Sequence, residues 1–235
     1  MPAVLVTGAN RGIGLAHAER YAHSGWAVHA CARRPEQSAA LQALQSAFPQ
    51  TVALHRLDVT EAAAVAALAE QLRDQPIDIL LNNAGTFGPQ GAPEGMAYQA
   101  LDNMDYDIWR TILEVNLLAP FRVATAFREH LGGGHRKLLV MMSSGLASIA
   151  DSQGSSYAYR SSKAGLNMLA RGMAAEWPEL IVIALAPGWC NTDLGGAAAP
   201  VDVADSVRDQ QALFTRLTAA DSGRFIDRFG QTVPW

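Results

Sequence analysis

The sequence predicts a doubly wound α/β fold, a seven-stranded parallel sheet flanked by helices. Two observations predict it. Short apolar, β-branched runs alternate along the chain with longer stretches of helical periodicity, the pattern of successive βαβ units. The runs are also close to continuously apolar, as strands covered on both faces are. The first strand is Ala3–Thr7, followed by a glycine-rich turn and a helix over Gly12–His23. The second and third strands are Ala27–Ala32 and Val52–Leu57. Next comes a helix over Glu61–Arg73, so rich in alanine that propensity alone favours it. Ile77–Leu81 is the fourth strand, Ile108–Glu129 a helix, Leu138–Met142 the fifth strand and Tyr159–Glu176 a helix. Ile181–Ala186 is the sixth, and a weaker run at Arg224–Ile226 supplies the seventh. A right-handed crossover at each step winds the sheet in both directions. Thr86–Asp105 and Gly188–Val203 read as loops near the carboxyl ends of strands, where open α/β sheets bind ligands. The first is longer than a simple connection and suits a substrate mouth or a subunit contact.

Composition narrows the function. With 235 residues, 49% of them apolar, and no linker or shift in composition, residues 1–235 read as one domain with a sizeable core. Eighteen Lys and Arg against 22 Asp and Glu give a net charge of -4. No broad positive field gathers phosphodiester backbones, and nucleic acid is not an expected partner. The N-terminal apolar run stops at Thr7-Gly8, too short for a secretion signal, and no later run is long enough for a bilayer. A cytoplasmic location with no membrane partner is expected. Cys31 and Cys190 lie far apart without metal-ligand spacing, so neither a disulfide framework nor a metal site is expected.

The chemistry-bearing residues cluster at strand ends. Thr7-Gly8-Ala9-Asn10-Arg11-Gly12-Ile13-Gly14 joins the first strand to the first helix. Glycines there allow a tight turn and close backbone approach to a pyrophosphate, while free amides and the helix dipole favour its charge. The spacing is Gly-x-x-x-Gly-x-Gly, distinct from the more usual Gly-x-Gly-x-x-Gly. Asp58-Val59 ends the third strand and Asn82-Asn83-Ala84-Gly85 the fourth, bringing polar groups to the same sheet edge. Taken alone, Asp58 suits a helix preamble and Asn82–Gly85 an ordinary turn.

Thr7–Gly14, Asn82–Gly85, Tyr159-x-x-x-Lys163 and Pro187-Gly188, in that order on those elements, resemble the motif set of the short-chain dehydrogenase/reductase family across essentially the whole chain. The resemblance implies a Rossmann fold binding a nicotinamide dinucleotide. It sets Gly8, Gly12 and Gly14, with Asn10, Arg11 and Ile13 of the same turn, against the pyrophosphate. Asp58 and Val59 hold the adenine, and Asn82, Ala84 and Gly85 shape the cofactor cleft. Pro187, Gly188 and Thr192 border the nicotinamide and a phosphate oxygen. The finer likeness is to the carbonyl-reductase-like and signalling-factor-like (sniffer-like) branch, through Tyr159–Ala164, Pro187-Gly188-Trp189 and Pro234-Trp235. Oligomer formation through the long helices carrying Asn116 and Lys163 is the family's usual pattern, and a homodimer is expected here, with a tetramer as the alternative.

Charge at the end of the second strand selects the dinucleotide. An acid there would bind the ribose 2′-OH and repel a 2′-phosphate, but the strand ends Cys31-Ala32-Arg33-Arg34, with Arg11 in the glycine turn. Guanidinium groups, Arg33 first, suit a 2′-phosphate, so NADP(H) is expected over NAD(H).

Tyr159 and Lys163 stand four apart on one helix face. A neighbouring ammonium is expected to lower the phenol's pKa and make it a usable acid/base. The resemblance gives Tyr159 the substrate hydroxyl proton, Ser144 the carbonyl oxygen, Lys163 the nicotinamide ribose, and Asn116 a water in a proton relay. Tyr157 is a rival whose i+4 neighbour, Ser161, carries no charge, and Ser143 is a rival that should point oppositely to Ser144. Trp189, Phe87 and Met96 are candidate apolar substrate contacts. The substrate implied is a small carbonyl compound or its alcohol. A second function class stays open, a dinucleotide sensor or signalling protein that keeps the fold with little chemistry. A phosphate-loop NTPase is excluded, because no Lys-Ser/Thr closes the glycine turn.

Overall fold

A computed structural model describes residues 1–92 and 94–235. The strands run in chain order β1 Ala3–Thr7, β2 Ala27–Ala32, β3 Val52–Arg56, β4 Ile79–Asn82, β5 Gln99–Ala100, β6 Asn103–Met104, β7 Leu138–Met142, β8 Ile181–Ala186 and β9 Phe225–Asp227. Seven form one sheet in the order β3-β2-β1-β4-β7-β8-β9, while β5 and β6 make a separate antiparallel hairpin. Every pairing in the large sheet is parallel: Val4 lies opposite Val28 and Ile79, and Val140 opposite Leu81 and Ile183. The protein has a Rossmann fold. Its strand order reverses between β1 and β4, and that switch point opens a crevice at the carboxyl ends of the strands.

The helices are α1 Gly12–His23, α2 Ala39–Ala47, α3 Ala62–Gln71, α4 Tyr106–Leu113, α5 Ala119–Ala126, α6 Arg128–Gly133, α7 Tyr157–Glu176 and α8 Val203–Arg216. Alternation along the strands divides the core between two faces. Leu5, Leu80, Leu139, Met141 and Val182 pack with Val65 and Leu68 of α3, Val123 of α5 and Leu166 of α7. Val4, Val6, Leu81, Val140 and Ile183 pack with Ala18 and Tyr21 of α1, Leu41 of α2 and Phe214 of α8.

The expected helix over Ile108–Glu129 is not continuous. It starts at Tyr106, where the Asp105 carboxylate accepts the amides of Asp107 and Ile108, each at 2.9 Å. It widens into a π turn over Glu114–Leu118 before α5. Pro120 lacks the amide that would bond the Asn116 carbonyl, so the α ladder cannot run through this point. Two further helices between strands, α2 and α8, carry too weak an apolar period to be bounded from the sequence. The inward stripe of α8 is Ser206, Val207, Gln210, Leu213 and Phe214, so polar residues interrupt its apolar period. In α2 only Leu41 and Leu44 are buried, and Ser38 caps its start. Thr86–Asp105, expected as a loop, contains a short 3₁₀ turn at Glu94–Met96 and the β5–β6 hairpin.

The polar stripe of α8 has a partner. His17 Nε2 lies 3.0 Å from Gln210 Oε1, Gln210 Nε2 donates to Ser206 Oγ at 2.8 Å, and Ser206 Oγ donates to the Pro187 carbonyl at 2.7 Å. Each donor has one acceptor, so the chain runs in one direction and sets the proton of His17 on Nε2. It ties α1 through α8 to the loop after β8. His29 and His55, on neighbouring strands, share a 3.0 Å contact between Nδ1 and Nε2.

Burial lowers His17 and His29 to about 4 and pushes His55 in the same direction, so all are carried neutral at pH 7. The unfolded chain takes up these protons first, near its ordinary ~6.5. Stability is therefore intact above that pH and lost as pH falls through the window down to about 4. Thermal melts across this window should show the midpoint falling continuously with acid. A flat midpoint would rule out neutral burial of these histidines.

Candidate active site

The glycine turn is closed by backbone geometry. Gly8 and Gly12 have φ of +66° and +54°, in the left-handed region that favours glycine. A Cβ on Gly8 would lie 2.9 Å from Ala84 Cα, and one on Gly14 would lie 2.3 Å from the Gly8 carbonyl oxygen. Thr7 joins this turn to the end of β4: its hydroxyl accepts the amides of Asn83 and Ala84 at 3.0 Å each. No side chain caps the start of α1, which leaves its first amides and the positive end of its dipole suited to an anion.

Of the residues expected around the dinucleotide, the structure brings all but Asn82 to one cleft of about 2080 Å³. The side chain of Asn82 is buried and donates to the Pro120 carbonyl at 3.0 Å, so it braces α5 and does not line the cleft. Asn83, which sequence reasoning passed over, lines it instead and donates to the Thr7 carbonyl at 2.9 Å and the Gly8 carbonyl at 3.3 Å. Adjacent residues at a strand end alternate in direction, and the motif alone did not say which asparagine faces out.

At the end of β2, Arg33 and Arg34 are exposed and line the cleft, joined by Arg56 from the end of β3, a cation the sequence reading missed. Arg11 is not free: its guanidinium pairs with Asp193 at 2.7 Å, both side chains being exposed. Asp58 accepts the amide and hydroxyl of Thr60 at 3.0 and 2.7 Å, and both Asp58 and Val59 line the cleft. These features fit a dinucleotide: a turn too tight for side chains, an uncapped helix start, and guanidinium groups at the far end.

At the other end stand Tyr159, Lys163 and Ser144. α7 positions the first two, and burial governs both. Lys163 Nζ donates to the Met142 carbonyl at 2.7 Å and lies 5.8 Å from the centre of the Tyr159 ring. The expectation that this ammonium pulls the phenol's pKa down is overturned. Burial dominates and pushes Tyr159 up to about 12, opposed by the Ser144 hydroxyl. The same burial lowers Lys163 to about 8. The i, i+4 spacing carried no information about burial.

The rivals separate by geometry. Ser143 Oγ donates to Asn167 at 2.6 Å in the interior, whereas Ser144, two residues past β7, lines the cleft and its Oγ accepts the Leu146 amide at 3.1 Å. Tyr157 does not line the cleft; its hydroxyl lies beside Gly154. Asn116 is fully buried in the π turn, accepts the Thr86 amide at 2.8 Å, and donates to the Thr86 carbonyl at 2.8 Å and Ser162 Oγ at 3.1 Å. A Cβ on Gly85 would sit 3.4 Å from Asn116 Oδ1 and 3.5 Å from Lys163 Nζ, which places the three groups side by side.

The loop after β8 covers the middle of the cleft. Thr192 lies against Gly12, its methyl 3.2 Å from where a Cβ would stand, and its hydroxyl accepts the Gly195 amide at 3.0 Å. Phe87 packs on Tyr159 with ring centres 4.7 Å apart, and Trp189 and Met96 line the same mouth, partly exposed. Among the described residues no group of three or more His, Cys, Asp or Glu could hold a metal ion.

Residues 2–201 match the sequence profile described as short chain dehydrogenase. The chain belongs to that family. Among its relatives this dehydrogenase is 37% identical to the C-signal of Myxococcus xanthus over 172 residues, 72% of this chain and 99% of that protein. Carbonyl reductase Sniffer of D. melanogaster superposes with a TM-score of 0.90 at 26% identity, covering 100% of both chains. An NADPH-bound carbonyl reductase from chicken fatty liver gives a TM-score of 0.87 at 30% identity, covering 100% of this chain and 99% of that one. The chain is thus a short-chain dehydrogenase/reductase with carbonyl-reductase neighbours. No helix among the described residues is long and apolar enough to cross a membrane.

Proposed function

We propose that this dehydrogenase is an NADPH-dependent carbonyl reductase that uses Tyr159 as its general acid. The observation that carries the reading is the sharing of one cleft by Tyr159, Ser144 and Lys163 with the glycine turn and Arg33. NADPH, when bound, supplies a hydride to the carbonyl carbon. Ser144 donates a hydrogen bond to the substrate oxygen, and Tyr159 transfers its proton to that oxygen as negative charge develops there. Burial pushes the phenol up to about 12, further from ionising at neutral pH, which suits a donor and the direction of reduction. Lys163, lowered to about 8, returns a proton to Tyr159, and a water ordered by Asn116 recharges the lysine. The glycine turn takes the pyrophosphate, Asp58 and Val59 the adenine, and Arg33 with Arg34 and Arg56 a 2′-phosphate. Phe87, Met96 and Trp189 give the mouth an apolar wall suited to a carbonyl compound. The test is a panel of aldehydes, ketones and quinones followed by loss of NADPH absorbance. Turnover of at least one carbonyl is expected; tight NADPH binding with no turnover would favour the second reading.

That second reading, a dinucleotide sensor in signalling, is favoured by the likeness to C-signal. The presence of Tyr159, Lys163 and Ser144 together weighs toward the enzyme.

The reading includes a cytoplasmic homodimer built from a single domain. Exposed Leu118 just before α5, Phe121 on α5 and Met168 on α7 are apolar side chains that support association. Light scattering should give twice the mass of the chain. A monomer at micromolar concentration would remove the dimer from the account.

A further inference from the structure

Gln99 is fully buried, yet it sits in the segment between β4 and α4 that carries no hydrophobic period. Its Nε2 donates to the Phe87 carbonyl at 2.7 Å and the Gly95 carbonyl at 3.1 Å, while its Oε1 accepts the Tyr159 amide at 2.9 Å. With two carbonyls on one side and an amide on the other, the group can sit in only one orientation. Its partners lie 12, 4 and 60 residues away in sequence.

The start of α7 requires such a group. Ser155 and Ser156 precede it with φ of +63° and +50°, and Ser156 provides no side-chain cap. Tyr159 stands third in the helix, where a capping side chain ordinarily accepts the amide. Gln99 supplies that acceptor from a distant segment. The same side chain fixes the backbone of Phe87, whose ring lies on the Tyr159 ring at 4.7 Å.

We propose that Gln99 is a positioning residue for Tyr159: it holds the tyrosine's backbone and, through Phe87, the wall that keeps water from the phenol. The segment Thr86–Asp105 is on this account a working part of the catalytic centre, clamped to α7 at one amide group. The proposal rests on the reading of Tyr159 as the general acid.

Two variants test it. Gln99→Met keeps the length and loses every hydrogen bond. Gln99→Glu keeps an acceptor toward Tyr159 and turns a second oxygen on the Phe87 and Gly95 carbonyls. Each is measured for NADPH binding by fluorescence, for kcat and KM per NADPH-binding site, and for amide exchange of the peptide bearing Tyr159. We expect unchanged NADPH affinity, a kcat lower by about 10- to 100-fold, and faster exchange at Tyr159 in Gln99→Met. Either variant that binds NADPH and turns over within about twofold of wild type overturns the proposal, since a misplaced group costs far more. So does loss of NADPH binding and turnover together in both variants, which would make Gln99 a support of the whole fold. Wild type and Tyr159→Phe are run alongside. If wild type is inactive, or Tyr159→Phe is active, the reading of the site has failed and not the placement of Gln99.

Discussion

Replacing Tyr159 by Phe should reduce turnover of a carbonyl substrate by about 10²- to 10⁴-fold while leaving NADPH affinity unchanged. The change removes one oxygen. The ring stays, and with it the contact on Phe87 and the packing at the start of α7. The amide held by Gln99 is also untouched. What disappears is the proton donor, which burial pushes up to about 12, still further from ionising at neutral pH. Tyr157→Phe is the matched control, because that ring does not line the cleft, and it should retain most of the activity. Near-wild-type turnover in Tyr159→Phe would remove the acid role. Loss of NADPH binding in that variant would make its defect structural.

The second large effect is expected at the other end of the cleft. Arg33→Glu should lower kcat/KM for NADPH by about 100-fold and leave that for NADH within a few-fold, since one charge-assisted contact is lost and a repulsion is added. Arg33 and Arg34 stand exposed at the end of β2, and Arg56 lines the cleft at the end of β3. Arg11, paired with Asp193, contributes less, and Arg11→Ala should change the ratio between the dinucleotides little. A wild-type preference for NADH, or an unchanged ratio in Arg33→Glu, would contradict the 2′-phosphate site.

The strands were legible wherever both faces are covered. The runs at Ala3–Thr7, Ala27–Ala32, Leu138–Met142 and Ile181–Ala186 are apolar but for Thr7 and His29 and stop where polar residues, glycine or proline begin, so their expected bounds agree with the structure to the residue. α8 was not legible, because its inward face spends two positions, Ser206 and Gln210, on a hydrogen-bonded chain that hydropathy reads as surface. The break in the helix through Asn116 follows from one proline, whose effect the apolar period concealed.

In the site, motif order sufficed to bring the glycine turn, Ser144, Tyr159 and Lys163 to one cleft. It could not tell Asn82 from Asn83, which differ only in which way the chain turns after β4. Nor could it give the sign of the tyrosine's shift, which burial decides against the opposing Ser144 hydroxyl. Gln99 left no signal at all. A lone glutamine among glycines and prolines looks like solvated loop until the fold brings Tyr159 to it.

The most direct test of the central claim is the transfer itself. Wild-type protein, a carbonyl substrate from the panel and NADPH deuterated at the hydride position should yield an alcohol carrying deuterium on its carbinol carbon, and Tyr159→Phe under the same conditions should yield almost none. Tight NADPH binding with no labelled alcohol from any carbonyl would contradict the enzyme.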